Sequence, residues 1–266
     1  MGQRATARLT SSGQTLERAG LSWQTGNMIT NPVLVGQYDS PFVRRVAVVL
    51  HYYGVPFSRR VLSTFADFDT MLELGPLGKV PVLILEDGER LWDSRAILDF
   101  LHGQASPEQS LLPHEEPRRR QVLRVEAAAV GLAEKAYERG IELARRQPGT
   151  QDPVWTARLE RQIASTLVWL EAQRPAPFLV RPAFSVADVT TAVALTYIKE
   201  KWPQLLPPEA SPGWKSTAQH ARQRRPFRLP LIRRRKPRRV VGARSPRSSG
   251  VGTKRPFRYP PTMSDS

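Results

Sequence analysis

Cysteine is absent from this 266-residue chain. Its absence excludes disulfides, thiolate metal sites and a cysteine nucleophile. Histidine is scarce: His51, His102, His114 and His220 are scattered without metal-ligand spacing, so no metal is expected. No apolar run reaches the roughly 18 residues that a membrane-spanning helix needs. The N-terminal stretch holds no apolar core of a secretory leader, and none is expected. A cytoplasmic, metal-free protein is the reading these absences favour.

What is abundant is positive charge, +16 in total, but it is unevenly placed. Residues 211–266 hold 16 Lys and Arg against one acid, Asp265. The remaining 24 basic and 23 acidic residues leave positions 1–210 at +1. The basic balance therefore belongs to the tail and says nothing about what the rest of the chain binds.

Residues 1–29 are polar with no sustained period and read as a disordered extension, with Met28 as an alternative start. Val33-Leu-Val-Gly is a strand candidate. Ser40 can cap a helix that has Pro41 at its first position, where the missing N–H costs nothing. Phe42, Val43, Val46, Val49, Leu50 and Tyr53 then share one face, and Gly54 with Pro56 ends the helix. A strand over Phe57–Leu62 and a helix over Asp67–Leu74 follow. Val80–Leu85 and Arg90–Trp92 form a hairpin about Asp87-Gly88. Ser94–Leu101 is the next helix. The order is β-α-β-α-β-β-α, an α/β domain over 31–104 whose sheet is mixed, since the hairpin forces an antiparallel pair.

Residues 105–114 have the polar look of a linker. Beyond them the period turns helical. Val122, Val125, Ala129, Leu132 and Ala136 make one stripe, and Trp155, Leu159, Ile163, Thr166 and Leu170 another. Ser185-Val-Ala-Asp188 resembles a capping box, with Phe184 and Val189 as its hydrophobic staple. Residues 115–206 read as an all-helical second domain. From 207 to 266 the chain is rich in Arg, Pro and Ser and too poor in apolar period to order itself. That tail is either genuine or out-of-frame sequence, which would leave the helical domain incomplete; the nucleotide sequence decides.

Three features carry chemistry, and each has a purely structural alternative. Pro81 at a strand start tolerates its missing donor. A cis Val80-Pro81 bond would turn the Val80 N–H and C=O outward to pair with a peptide; a trans bond at a strand edge is the alternative. Asp93-Ser94 opens a helix whose N-terminus can take a carboxylate while Asp93 holds an ammonium. The alternative is an ordinary cap. The Ser40 hydroxyl, at another helix N-terminus, favours the charged form of a thiol. Its alternative is again capping, and Tyr38 is the second hydroxyl in that loop. Tyr137, Trp155 and Trp202 are either core or the lining of an apolar co-substrate pocket.

Taken in order, Tyr38-Asp-Ser-Pro-Phe-Val, Pro76-Leu-Gly-Lys-Val-Pro-Val-Leu, Trp92-Asp-Ser-Arg-Ala-Ile and Ser185-Val-Ala-Asp188 resemble the glutathione transferase superfamily. The resemblance covers Asn31 to Pro208. It implies a thioredoxin-like domain followed by an all-α domain, usually in a homodimer. It implies glutathione as co-substrate, held by Val80, Pro81, Asp93 and Ser94. Ser40 looks like the thiol-activating position of the bacterial, serine-type members; members that use cysteine there do thiol–disulfide chemistry, which the resemblance therefore does not imply for this chain. The expected function is attack of the glutathione thiolate on a small electrophile. The alternatives are a glutathione-binding protein without turnover and non-specific nucleic-acid binding through the basic tail.

Overall fold

The computed structural model describes residues 29–173 and 177–206. Most of the polar N-terminal stretch and the whole basic tail lie outside the described residues, as does any role of that tail in nucleic-acid binding. The described segments belong to one compact unit.

The first half follows the expected order: β1 (Val33–Val35), α1 (Pro41–Tyr52), β2 (Ser58–Arg60), α2 (Phe68–Leu74), β3 (Val82–Ile84), β4 (Arg90–Leu91) and α3 (Ser94–Gln104). The sheet order is β2-β1-β3-β4. β1 pairs parallel with β2 and antiparallel with β3, and β3 pairs antiparallel with β4. This is the thioredoxin-like mixed sheet. Side-chain alternation divides its faces. Leu34 and Leu83 join α1 and α3 in one core cluster, while Val35 and Val82 meet Met71 and Leu74 of α2 in another.

Local chemistry sets the ends of α1. The Ser40 hydroxyl accepts from Val43 N–H, and Pro41 occupies the first turn. At the other end Gly54 takes φ +68°. Its N–H reaches the His51 carbonyl and Val55 N–H reaches Leu50, at 3.1 and 2.9 Å, a Schellman closure. α1 is not the one-faced helix its apolar pattern predicts. Every residue from Val43 to Leu50 is buried, Arg44 and Arg45 included, because the sheet and α3 cover one side and α6 the other.

The helical part comprises α4 (Arg118–Arg145), α5 (Pro153–Ala172), α6 (Val186–Lys201) and a 3₁₀ turn (Pro203–Leu205). The α4 stripe is buried as expected; on α5, Leu167 rather than Thr166 completes the stripe, and Trp155 stays 39% exposed. The capping box of α6 is present: the Asp188 carboxylate accepts from Ser185 N–H at 2.9 Å, and its other oxygen from Leu179 N–H at 2.9 Å. The segment 105–114 is less polar in place than in sequence. Leu111 and Leu112 are buried, and the Leu111 carbonyl accepts from Val186 N–H. A buried Arg45–Glu126 ion pair joins α1 to α4. Desolvation offsets much of the attraction in such a pair, so its net contribution to stability is small.

Candidate functional site

The loop from β1 to α1 and the segment entering β3 meet at Gly36. Its φ of +127° suits glycine, and a Cβ there would lie 2.6 Å from Val43 Cγ2 and 2.9 Å from Val80 Cβ. The backbone of Gly36 is thus packed between the start of α1 and Val80. That close approach brings the Ser40 loop and the Val80-Pro81 pair to the same end of the sheet. The Val80-Pro81 bond is cis, the less common of the two forms that the sequence leaves open. Val80 is half-buried and Pro81 buried.

Asp93 and Ser94 begin α3 at the end of β4. Asp93 is exposed, and its Oδ1 accepts from Arg95 N–H at 2.7 Å, so it caps the helix with one oxygen. Ser94 is buried in the first turn, 3% exposed. The Trp92-Asp93 bond is also cis. Two helix N-termini, those of α1 and α3, thus lie at this end of the sheet, and the free N–H groups of a helix N-terminus attract anions.

The two hydroxyls offered by the first loop differ sharply. Ser40 is half-buried, and its Oγ accepts from Val43 N–H at a long 3.4 Å, which leaves its proton to donate. Tyr38 is 8% exposed and sits in the core cluster, its ring under the Arg59 guanidinium at 3.5 Å. Burial pushes the Tyr38 phenol up, and the nearby Arg59 charge only partly opposes that. A phenol so placed keeps its proton and is poorly exposed to a ligand.

Sequence reasoning missed what stands on the other side of this loop. Arg44 Nε donates to the Tyr38 carbonyl and its Nη2 to Glu200, both at 2.8 Å. Lys201 reaches Asp39 at 3.4 Å. Tyr197 of α6 is buried, and burial raises its phenol; Tyr137 and Asp39 lie near enough to add to that. Trp202 closes on α4, where a Cβ on Gly140 would stand 2.9 Å from its Cζ2, and Arg139 lies 5.1 Å from its ring centre. Its indole lies beside the Tyr197 hydroxyl and partly opposes the rise of that phenol. Tyr137 and Trp202, singled out in the sequence, are therefore gathered around Tyr197 and Asp39, and Tyr137 is 40% exposed rather than core. Trp155 sits elsewhere, in the first turn of α5 under the Asp152 cap. No short-range signal marks Arg44 with Glu200, which are 156 residues apart.

A cleft of about 540 Å³ opens between α4 and α5, lined in part by Lys135, Arg158 and Arg161; none of its lining comes from the Ser40 loop, Val80 or α3. Among the described residues no group of three or more His, Asp or Glu side chains clusters as metal ligands do, and no helix is long and apolar enough to cross a membrane.

Comparison with known proteins agrees with this architecture. The family model for the glutathione S-transferase N-terminal domain matches residues 34–109. The uncharacterised GST-like protein YibF of Escherichia coli K12 is 28% identical over 182 residues, which are 68% of this chain and 85% of that protein. A glutathione S-transferase of Methylobacillus flagellatus KT, solved with glutathione bound, superposes with a TM-score of 0.69 at 28% identity. The match covers 74% of this chain and 97% of that one. A glutathione transferase family member of Pseudomonas fluorescens Pf-5, also with bound glutathione, gives 0.67 at 30% identity over the same shares. The chain belongs to the glutathione transferase superfamily.

Proposed function

We propose that this chain binds glutathione at the end of the sheet where α1, Val80 and α3 converge, and uses the glutathione thiolate to attack a small electrophile. The observation that carries the reading is the packing of Val80 and Val43 about Gly36, which joins a peptide-pairing segment to a hydroxyl-bearing helix N-terminus. Both solved relatives described above hold glutathione.

Each residue then has a task. The N–H and C=O of Val80, ahead of Pro81, pair with the ligand backbone as an added strand would. Asp93 holds the ligand ammonium with the oxygen that does not cap α3. The N–H groups that open α3, with Ser94, take the neighbouring carboxylate. Ser40 donates to the sulfur, and the N-terminus of α1 adds its partial positive charge. A thiol is mostly protonated at neutral pH, so stabilising its anion raises the reacting fraction. The thiolate forms the new carbon–sulfur bond, and the electrophile either loses its leaving group or takes up a proton. Tyr137 and Trp202 flank the electrophile. Tyr38, buried under Arg59, is the weaker choice of hydroxyl.

This reading includes a glutathione-binding domain over 31–104 and a helical domain over 115–206. It also includes a homodimer, in a cytoplasmic setting, with no metal. Phe68, Leu72, Leu77 and Trp92 are large apolar side chains between 40% and 59% exposed, a surface that a second copy would cover.

The test is conjugation of glutathione to a chloronitrobenzene by the parent chain and by Ser40→Ala. The reading expects turnover in the parent, with Ser40→Ala still retained on immobilised glutathione but about tenfold slower, as a thiol pKa higher by about one unit would give. Retention without turnover across a broad electrophile panel would favour the non-catalytic alternative.

A further inference from the structure

Four charged side chains lace the Ser40 loop to the last turn of α6, and the thiol site as described above uses none of them. Arg44, one turn beyond Ser40, donates from Nε to the Tyr38 carbonyl and from Nη2 to Glu200 Oε2, both at 2.8 Å. Beside Glu200, Lys201 reaches Asp39 at 3.4 Å. The pairs run in opposite charge order: base on α1 with acid on α6, then acid in the loop with base on α6. Sliding α6 by one residue so that Glu200 takes the place of Lys201 would set Arg44 against Lys199 and Asp39 against Glu200. Like charges would meet in both places, so the lacing selects one register.

The two pairs are unequal. Asp39 and Lys201 are both nearly half exposed, and an exposed pair contributes little. The Arg44 side chain is only 8% exposed, and one of its two bonds goes to a backbone carbonyl two residues before Ser40. A planar guanidinium fixes the directions of both its acceptors together. The Ser40 backbone is held by bonds to Gln37 and Arg44 at 3.1 and 3.0 Å, but its hydroxyl is loosely held, by a 3.4 Å bond. The aim of its hydroxyl depends on where the loop is pinned.

We infer that Arg44 is a positioning residue for the thiol site: it pins the Tyr38–Ser40 loop by its carbonyl and, through Glu200, ties the aim of the Ser40 hydroxyl to the end of α6. This rests on Ser40 stabilising the glutathione thiolate, as proposed above. Arg44 is too buried to touch the electrophile and acts only through the loop.

The experiment reads the thiol pKa of bound glutathione from the pH dependence of thiolate ultraviolet absorbance. The full chain is compared with Ser40→Ala, Arg44→Lys and Glu200→Gln. Lysine keeps the charge beside Glu200 but has a single head and cannot span both acceptors. The expected result is a rise of about one unit in Ser40→Ala, a comparable rise in Arg44→Lys and a smaller one in Glu200→Gln. In the last two, kcat falls while KM for glutathione holds. If Ser40→Ala raises the thiol pKa and Arg44→Lys only lowers the melting temperature, Arg44 is merely structural and the inference is overturned. If Ser40→Ala leaves the thiol pKa where it was, the thiol-site reading fails, and the inference falls with it. Should Arg44→Lys not fold, Glu200→Gln decides alone, since Glu200 is 46% exposed. A raised thiol pKa there supports the inference, and an unchanged one overturns it.

Discussion

Acidification is expected to cost this chain stability through His102, in the last turn of α3. His102 is 5% exposed, and its Nδ1 lies 2.7 Å from the Tyr53 hydroxyl. That hydroxyl also accepts from Leu111 N–H at 2.8 Å. Protonating the imidazole would leave a charge in the core, near the cations Arg45 and Arg119. Burial foremost, then those two charges, lowers the pKa from 6.5 to about 3. A depressed folded-state pKa means the unfolded chain binds the extra proton first. The contribution is whole above pH 6.5 and is lost as the pH falls from there toward the folded value. Each unit of that window costs up to about 1.4 kcal/mol, so falling to about pH 4.5 removes about 2–3 kcal/mol. Other groups titrate too, so a difference isolates the effect. His102→Gln keeps a hydrogen-bonding group for Tyr53 and cannot titrate. Denaturant unfolding of both proteins across this range should show the parent's advantage at pH 7 shrinking by about 2 kcal/mol on acidification. A constant difference, or a His102 ring resonance titrating near its ordinary value, would refute the argument.

Two further outcomes test the fold around the site. Asp188→Ala removes an acceptor for Ser185 N–H, Ser185 Oγ–H and Leu179 N–H in a buried setting. Leaving those donors unpaired should lower stability by about 3–5 kcal/mol in denaturant unfolding; a loss under about 1 kcal/mol would mean water replaces them. Burial raises the Asp188 carboxyl, so its own stabilising share is full at low pH and is lost as the pH rises through the folded value, opposite in sign to His102. Gly36→Ala places a methyl 2.6 Å from Val43 Cγ2 at φ +127°. It should cost more than about 2 kcal/mol of stability and weaken glutathione binding more than tenfold; a variant that binds as the parent does would show that Val80 takes no part.

Much of this arrangement is legible from short-range chemistry. The Ser40-Pro41 start, the Asp87-Gly88 hairpin and the Ser185…Asp188 box each work within a few residues, and each lies where its pattern places it. What failed to show depends on partners far along the chain. α1 reads as one-faced because Arg44 and Arg45 are polar in sequence, yet both are buried, since Glu200 and Glu126 meet them from α6 and α4. β2 is only Ser58–Arg60, shorter than the Phe57–Leu62 run, because it pairs with just three residues of β1. Leu111 and Leu112 looked like part of a polar linker because the groups that bury them are contributed by other elements, among them the Tyr53 hydroxyl and Val186. The helix N-termini at Ser40 and Asp93 were visible; the guanidinium that pins the first of them was not.

Calorimetric titration of glutathione into the folded chain, beside Asp93→Ala, decides whether this end of the sheet holds glutathione. Saturable binding by the parent is expected, with about tenfold or greater weakening in the variant. Removing a charged partner of the ligand ammonium is worth about 1.5–3 kcal/mol. No heat of binding to a folded parent chain, or equal affinity in the two proteins, would rule that site out.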